Sequence, residues 1–423
     1  MIYALKSLWA RQKQNVWIFA ELVLISIVSW FVLDPLFVIV YNTWVVPDGY
    51  DIDRLCVLSI RAKSSGESKY ESIDAIKTKL KNMPEVESVS ITYEDNYPNG
   101  GGFGEGFYGH PEDTTKWFIC NQLDFRRGEE MYKTLGMVVL DGDTEEEGVV
   151  ITRSLALALF GKTNVAGARM CTYDDFPSVA TDISMRPIAA VVEDIRVEKY
   201  YLDSRYAVFQ ERDSLYLSEW SDFLVRLKDG VNADAFCARI RPSMQKELSS
   251  GDFFINKAQS MREIVNGDMR LNGVTGDTRK YISLAIFFMV NLCLGTIGTF
   301  WLQTRKRKEE IGIRRSFGAS RRRIMGEFLM EGLILTAICH LLGCFLFFQY
   351  AYSFGLSMGM RIDEESLSLL PHYTDSWILS FAPHFFAVSI FIYLVILLTV
   401  SIGIAIPVWN ICRTKPVETL KDE

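Results

Sequence analysis

The chain of 423 residues is 49 % hydrophobic yet 23 % charged, with a formal net charge of −7 and a mean hydropathy of +0.11. Such values coexist when apolar and polar residues are segregated into blocks, as in membrane proteins, rather than mixed on a short period as in soluble ones. The acidic balance counts against a nucleic-acid partner, which wants a basic face, and eight cysteines without a CxxC pair signal no metal or redox motif.

A spanning helix needs about 20 mostly apolar residues. After a short N-terminus (1–16), the first window that qualifies runs from Trp17 to Tyr41, with Glu21 near one end and Asp34 deeper in. It is too long for the apolar core of a signal peptide, and no alanine between Ala20 and Ala62 offers an Ala-x-Ala cleavage site. An uncleaved anchor is expected.

The polar stretch 42–279 has length for a core of its own and for two lobes. Cys56, Leu58 and Ile60 alternate like a half-buried strand. Ser72 is placed to cap a helix carrying Ile73, Ile76, Leu80 and Met83 on one face; Pro84 stops it, and Val89, Ile91 and Tyr93 alternate again. The same order returns with Phe223, Val225 and Leu227, a helix capped by Asn232 with Phe236, Ile240, Met244 and Leu248 on one face, and Phe253 and Ile255. Two strand–helix–strand units at about 50–98 and 211–265 thus flank an insert at about 100–210, an α+β lobe split in sequence around a second lobe.

The insert opens on Asn99-Gly100-Gly101-Gly102-Phe103-Gly104, where Glu105, Phe107 and His110 follow instead of a helix start with Lys; a flexible hinge is expected, not a phosphate loop. Gly161-Lys162-Thr163 imitates a P-loop end, but Ala156 stands where the pattern needs glycine. None of His110, His340, His372 and His384 makes a ligand pair, and no GxSxG elbow occurs, so no catalytic residue and no metal site is assigned. Pairing among Cys56, Cys120, Cys171 and Cys237 stays open.

The second window, Tyr281–Trp301, carries no charge; the third, Ile324–Tyr350, has Glu327 and Glu331 in its first turns; the fourth runs from Trp377 to Trp409. Lys6, Arg11 and Lys13 precede the first span, a dense basic loop (302–323) joins the second to the third, and Arg413, Lys415 and Lys421 follow the fourth. The connection 351–376 instead holds Arg361 against Asp363, Glu364, Glu365 and Asp375. By the positive-inside rule both termini and the basic loop are cytoplasmic, and 42–279 and 351–376 are extracytoplasmic. The fold class read from the sequence is therefore membrane α-helical, of about four transmembrane helices, with a large two-lobed α+β domain inserted between helices 1 and 2.

The basic loop reads as a helix continuing the second span, ended by Gly318 at positive φ, with Ser320 capping the third span. Ile313 and Phe317, four apart, put an apolar ridge beside Arg314 and Arg315; on composition alone it would be a basic helix held to anionic membrane lipid. The string from Glu310 through Ile311, Gly312, Ile313, Arg314, Arg315, Ser316, Phe317, Gly318, Ala319 and Ser320 to Arg322 resembles the signature of FtsX-like, or MacB-like, ABC transporter permeases. Val149–Thr152 with Leu159–Gly161 and Gly167, Tyr132–Gly136, Leu140–Gly142, Ile188–Asp194, Glu331 and the tail Pro416–Leu420 are similar to further family segments.

That resemblance implies a two-lobed outer domain, one lobe split around the other, in a multi-pass protein of a bacterial cytoplasmic membrane. It implies a homodimer or a pair with a related permease, each copy docking a cytoplasmic ABC ATPase, and ATP-driven movement of the outer domains with no solute necessarily crossing the bilayer. With no Walker motif and about 16 residues before the first span, ATP and Mg would sit on a separate partner chain, this chain being a non-catalytic permease subunit without a cofactor of its own. Ile311, Ile313 and Phe317 would then be apolar contacts to the ATPase, Arg314 and Arg315 partners of its acidic groove, and Gly312 and Gly318 the close approach and the turn. Glu331 and Asp34 would serve packing between spans or a dimer seam. A periplasmic adaptor is compatible with the family, as is an FtsX-type regulator of cell-envelope hydrolases; a receptor without ATP is the rival reading.

Overall fold

The computed structural model describes residues 12–413 except 64–70, 114, 127, 200–205, 213–219, 358–368, 370, 371 and 373. Lys6, Arg11, Arg361, Asp363, Glu364, Glu365, Lys415, Lys421 and the tail Pro416–Leu420 lie outside the described residues. Contacts divide the described chain into two units, one within 1–40, 276–359 and 377–423, the other within 41–275 and 360–376. Helix α1 (Gln12–Val40) opens the first unit and passes Pro35 without ending.

The second unit follows a π-turn at Tyr41–Val45. Strand β1 (Leu55–Ala62), helix α2 (Glu71–Lys81) and strand β2 (Val86–Tyr93) come first. Ser72 lies inside the first turn of α2 and not at its cap, because the helix already includes Glu71. The middle of the chain adds β3 (Gly104–Gly109), β4 (Trp117–Arg126), α3 (Met131–Leu135), β5 (Val139–Gly142), β6 (Val149–Thr152), α4 (Arg153–Phe160), β7 (Arg169–Tyr173), β8 (Ile183–Val192) and β9 (Ala207–Arg212). Then come β10 (Ser221–Leu227), α5 (Ala233–Ile240), α6 (Met244–Glu247), β11 (Ser249–Ser250), β12 (Phe253–Ser260) and α7 (Met261–Leu271). Asn232 caps α5 by accepting the Ala235 N–H at 2.8 Å.

The two flanking strand–helix–strand segments interleave as β11-β12-β1-β10-β2, all antiparallel. Alternation decides their faces: Cys56, Leu58, Ile60, Val89, Ile91, Phe223, Val225, Phe253 and Ile255 point to the side that α2 and α5 cover with Ile73, Ile76, Leu80, Phe236 and Ile240. Strands of the insert close into a ring, β4-β3-β7-β8-β6-β9, because β9 pairs with β6 on one side and, in parallel, with β4 on the other. A single register pair, Thr92↔Phe125, joins ring and flanking strands. One core fills the ring around Tyr108, Ile151, Leu155 and Val208, and another lies between Leu55, Val57, Leu224, Phe125, Phe209 and Val265.

The glycine run after β2 is a packed turn and not an open hinge. Asn99, at φ +61 and 5 % exposed, donates to the Tyr50 hydroxyl at 2.8 Å and accepts the Lys199 N–H at 2.9 Å. A side chain at Gly100 would stand 2.1 Å from the Asp95 carbonyl oxygen and one at Gly102 2.3 Å from that of Glu94, so these two glycines serve close packing, while Gly101 supplies a positive φ of +84. Cys56, Cys120, Cys171 and Cys237 are free thiols, all buried, and burial pushes the Cys120 thiol well above its ordinary range.

The first unit resumes with α8 (Val274–Lys306), α9 (Lys308–Ser316), α10 (Arg321–Phe354) and α11 (Phe381–Arg413). Among the described residues, four helices are long and apolar enough to cross a membrane: 16–45, 274–306, 321–354 and 381–411. On α11, Val388, Ile392, Ile396, Val400, Ile404 and Val408 are buried, while Phe386, Ile390, Leu394, Leu398, Ile402 and Ile406 are exposed. Both stripes are apolar, one facing helices and one fit for lipid, as a spanning helix requires. Trp30 of α1 stacks between Phe347 of α10 and Phe385 of α11, at 4.7 and 4.8 Å.

Candidate functional site

The segment between the second and third spans is built around its own charges. Expected as one continuous helix, it breaks at Arg307, whose backbone leaves helical geometry (φ −100, ψ 7). The Arg307 guanidinium makes a fork with both Glu331 carboxylate oxygens, at 2.9 and 3.3 Å, and lies 4.8 Å over the Phe328 ring. Both side chains are mostly buried, at 12 % and 17 % exposure. Glu331 is thus held by an arginine of its own chain; as they stand 24 positions apart, no local spacing announces this pair.

Arg314 is likewise engaged, with Glu310 one turn earlier and with Glu327 of α10, both at 2.6 Å. Glu327 also takes Arg323 at 3.6 Å. The Glu310–Arg314 pair has the i,i+4 order that favours helix. Arg314 is therefore a brace between α9 and α10 within this chain, still 49 % exposed.

The apolar residues separate in the same way. Ile311 is 4 % exposed and belongs to the core of the helical unit, so it supports the segment rather than forming its surface. Gly312 is buried beside it. Ile313 is 48 % and Phe317 89 % exposed. Gly318 takes φ +89 and ends the helix, its N–H donating to the Arg315 carbonyl at 3.0 Å. Ala319 is half-buried, and Ser320 caps α10 by accepting the Arg323 N–H at 3.2 Å. The result is a rigid knuckle presenting one large hydrophobic side chain to solvent, held by ion pairs from behind.

Asp34 sits elsewhere. It is 4 % exposed, receives the Ser357 N–H at 2.9 Å and faces His384 Nε2 at 2.8 Å. His384 Nδ1 faces the Ile378 carbonyl at 2.8 Å, so both ring nitrogens meet an oxygen and the ring is held in place. Of the two roles left open for Asp34, packing inside one bundle is where its polar contacts go. A second clamp lies between the same three helices: His340 accepts from Ser26 at 2.8 Å and donates to the Ser389 carbonyl at 3.0 Å. Sequence reasoning gave neither histidine a role, since their partners on other helices and the carbonyl of Ser389 lie 49 to 350 positions away.

The profile described as FtsX-like permease C-terminal matches residues 282–416. The MacB macrolide export ATP-binding/permease protein of Neisseria meningitidis is 28 % identical over 127 residues, 30 % of this chain and 19 % of that protein. Residues 282–416 are thus similar to the C-terminal part of FtsX-like permeases. The Pseudomonas syringae protein described as a probable syringafactin export ATP-binding/permease protein is 27 % identical over 135 residues, 31 % of this chain and 19 % of its own length. The chain spans about a fifth of the length of these curated relatives. Among solved structures, the periplasmic region of MacB from Actinobacillus actinomycetemcomitans overlaps 52 % of this chain and 94 % of itself, at 13 % identity and a TM-score of 0.32.

Proposed function

We propose that this chain is the membrane subunit of an ABC transporter and that a cytoplasmic ATPase docks on the α9 knuckle. The observation that carries the proposal is Phe317, 89 % exposed beside Ile313 at 48 %, on a segment whose arginines 307 and 314 are already paired within the chain. An exposed aromatic anchor on a braced scaffold is what a protein partner buries, and an anchor of this kind commonly costs a complex about 2 kcal/mol or more when truncated. Arg315 flanks the ridge and would meet acidic groups of the partner; ATP and Mg would bind there and not on this chain.

In this reading both termini and the knuckle are cytoplasmic, the unit around 41–275 is extracytoplasmic in a bacterial inner membrane, and the split lobe and its insert move together when the ATPases close. Two copies, or one copy and a related permease, would give the symmetric pair that two ATPases need, with lipid around the exposed stripe of α11 and a periplasmic adaptor as an optional outer partner. The test is a crosslinked pull-down of the tagged full chain from native membranes. A P-loop ATPase should come down in stoichiometric amount and be lost with Phe317→Asp, while Ser316→Ala leaves it bound. If no ATPase appears, or if Phe317→Asp retains it, the docking reading fails.

A further inference from the structure

Asp222 opens β10 on the face of the flanking strands that α2 and α5 leave uncovered, with Ser59 of β1 and Thr92 of β2 beside it in register. It is 1 % exposed. One carboxylate oxygen, Oδ2, accepts the Asp95 N–H at 2.9 Å. The other, Oδ1, is shut off from solvent and has no hydrogen-bond partner. Glu94 and Asp95 bring further negative charge to the place. Arg61, the cation of this cluster, is taken by Glu94 at 3.1 Å and lies 4.7 Å over the Trp220 ring.

The partner of Asp222 is the pivot of the turn that leaves β2. Asp95 holds φ +54, a left-handed conformation that aspartate tolerates better than most residues. Its carbonyl takes the N–H groups of Tyr97 and Gly102, both at 3.0 Å, and its carboxylate accepts the Tyr97 hydroxyl at 3.1 Å. The same turn reaches the ring through Asn96, whose side chain accepts the Asp124 N–H of β4 at 3.2 Å. Thr92, which carries the register pair between flanking strands and ring, donates to the Asn96 carbonyl at 2.7 Å. A buried acid thus stands at the root of the turn by which the flanking strands hold the ring. Ionised, it faces one backbone donor, no water and two like charges, which is costly; opening the turn would hydrate it, and a proton would remove the need. Burial first, with Asp95 and Glu94 adding to it, pushes this carboxyl from 3.8 up to about 6 against the pull of the Asp95 N–H and the Ser59 hydroxyl. Glu198, with Asp268 and Glu105, is a second acidic group at the far end of the turn, since Val197 and Lys199 on either side of it bond Asn99.

We infer that Asp222 is an acid-sensitive pin: protonated, it keeps the turn 94–102 closed between the flanking strands and the ring, and ionised, it lets that turn open. The outer unit then answers to the pH around it. Nothing in this needs ATP or a partner, so it stands or falls independently of the ATPase docking.

The test is hydrogen exchange of the full chain in phosphatidylcholine nanodiscs, read by mass spectrometry on peptides covering 93–103. Each pH between 5 and 8 is referred to the exchange of the unfolded chain at that pH. Opening of the turn should be severalfold, up to about tenfold, more frequent at pH 8 than at pH 5, the factor carried by a carboxyl that returns from about 6 to 3.8 when the turn opens. Asp222→Asn should hold the turn at its low-pH protection throughout, and Glu198→Gln should leave the difference in place. Glu94→Gln/Asp95→Asn removes the two like charges and keeps the Asp222 carboxyl, so the midpoint of the dependence should fall by about half a pH unit or more. That variant decides the matter if Asp222→Asn fails to fold. Equal protection at pH 5 and pH 8, a difference that survives Asp222→Asn or vanishes with Glu198→Gln, or an unmoved midpoint in the double variant would overturn the inference.

Discussion

Glu198 offers a way to read the outer unit through its pH dependence. Burial, with Asp268 and then Glu105 adding negative potential, pushes its carboxyl from the ordinary 4.5 up to about 7. Below pH 4.5 the group is protonated in folded and unfolded chains alike and costs nothing. Between 4.5 and about 7 the unfolded chain releases the proton first, so stability falls as the pH rises; above that range the full cost is in place. The displacement corresponds to about 3 kcal/mol, reduced to about 2 kcal/mol because solvent reaches part of the carboxylate. Glu198→Gln removes the charge and keeps the shape. In a unit of this size, about 2 kcal/mol should raise the melting temperature by roughly 4–8 °C at pH 8, shrinking toward zero near pH 4.5. Thermal unfolding of the full chain in mild detergent, followed by tryptophan emission at both pH values, reads this directly. Asp222, pushed up to about 6 mainly by burial, adds a slope of the same sign, so the comparison is between variants rather than against an absolute profile. A gain that is equal at pH 8 and pH 4.5 would refute the electrostatic argument and leave only a packing effect.

Three further outcomes follow from the same contacts. Removing either member of the Arg307–Glu331 fork should destabilise the helical unit by about 2–3 kcal/mol, while Arg307→Met/Glu331→Met costs less than the sum; a double-mutant cycle with coupling below about 0.5 kcal/mol would deny the pair. Ile311→Ala should cost about 2–4 kcal/mol of stability. Ile313→Ala should stay within about 0.5 kcal/mol on the same assay and act on partner capture alone. Cys56, Cys120, Cys171 and Cys237 should resist alkylation in the native chain and all react after denaturation without reductant; a linked peptide in the mass spectrum would contradict the four free thiols.

What the sequence made legible is what short-range periodicity encodes. Four apolar windows became four helices, since about 20 apolar residues leave few alternatives. The alternation at Cys56, Leu58 and Ile60 and at Phe223, Val225 and Leu227 returned as neighbouring strands with those residues on one covered face. Caps at Asn232 and Ser320 and the positive φ of Gly318 were equally local, and all three are in place. The ring closed by β9 was not foreseen, because a parallel pairing between β4 and β9 joins segments some 86 residues apart with no signal inside either strand.

The charged residues of the knuckle were legible only in part. A dense run of Arg and Lys reads as a surface waiting for an acidic partner, since sequence shows the charges of one segment without the carboxylates that fold against it. Glu327 and Glu331 stand in the first turns of α10, and they pair with Arg314 and Arg307 within the chain. Once those charges are accounted for, the residue with nothing of its own to bury against is Phe317, at 89 % exposure. Specific recognition at this knuckle should therefore be mainly hydrophobic, with charge setting orientation and encounter rate. On that argument raised salt should slow capture of the partner more than it weakens the assembled complex, whereas Phe317→Asp should abolish the complex at any ionic strength. A complex that dissociates in high salt and tolerates Phe317→Asp would mean that the braces open on binding and that the arginines carry the contact after all.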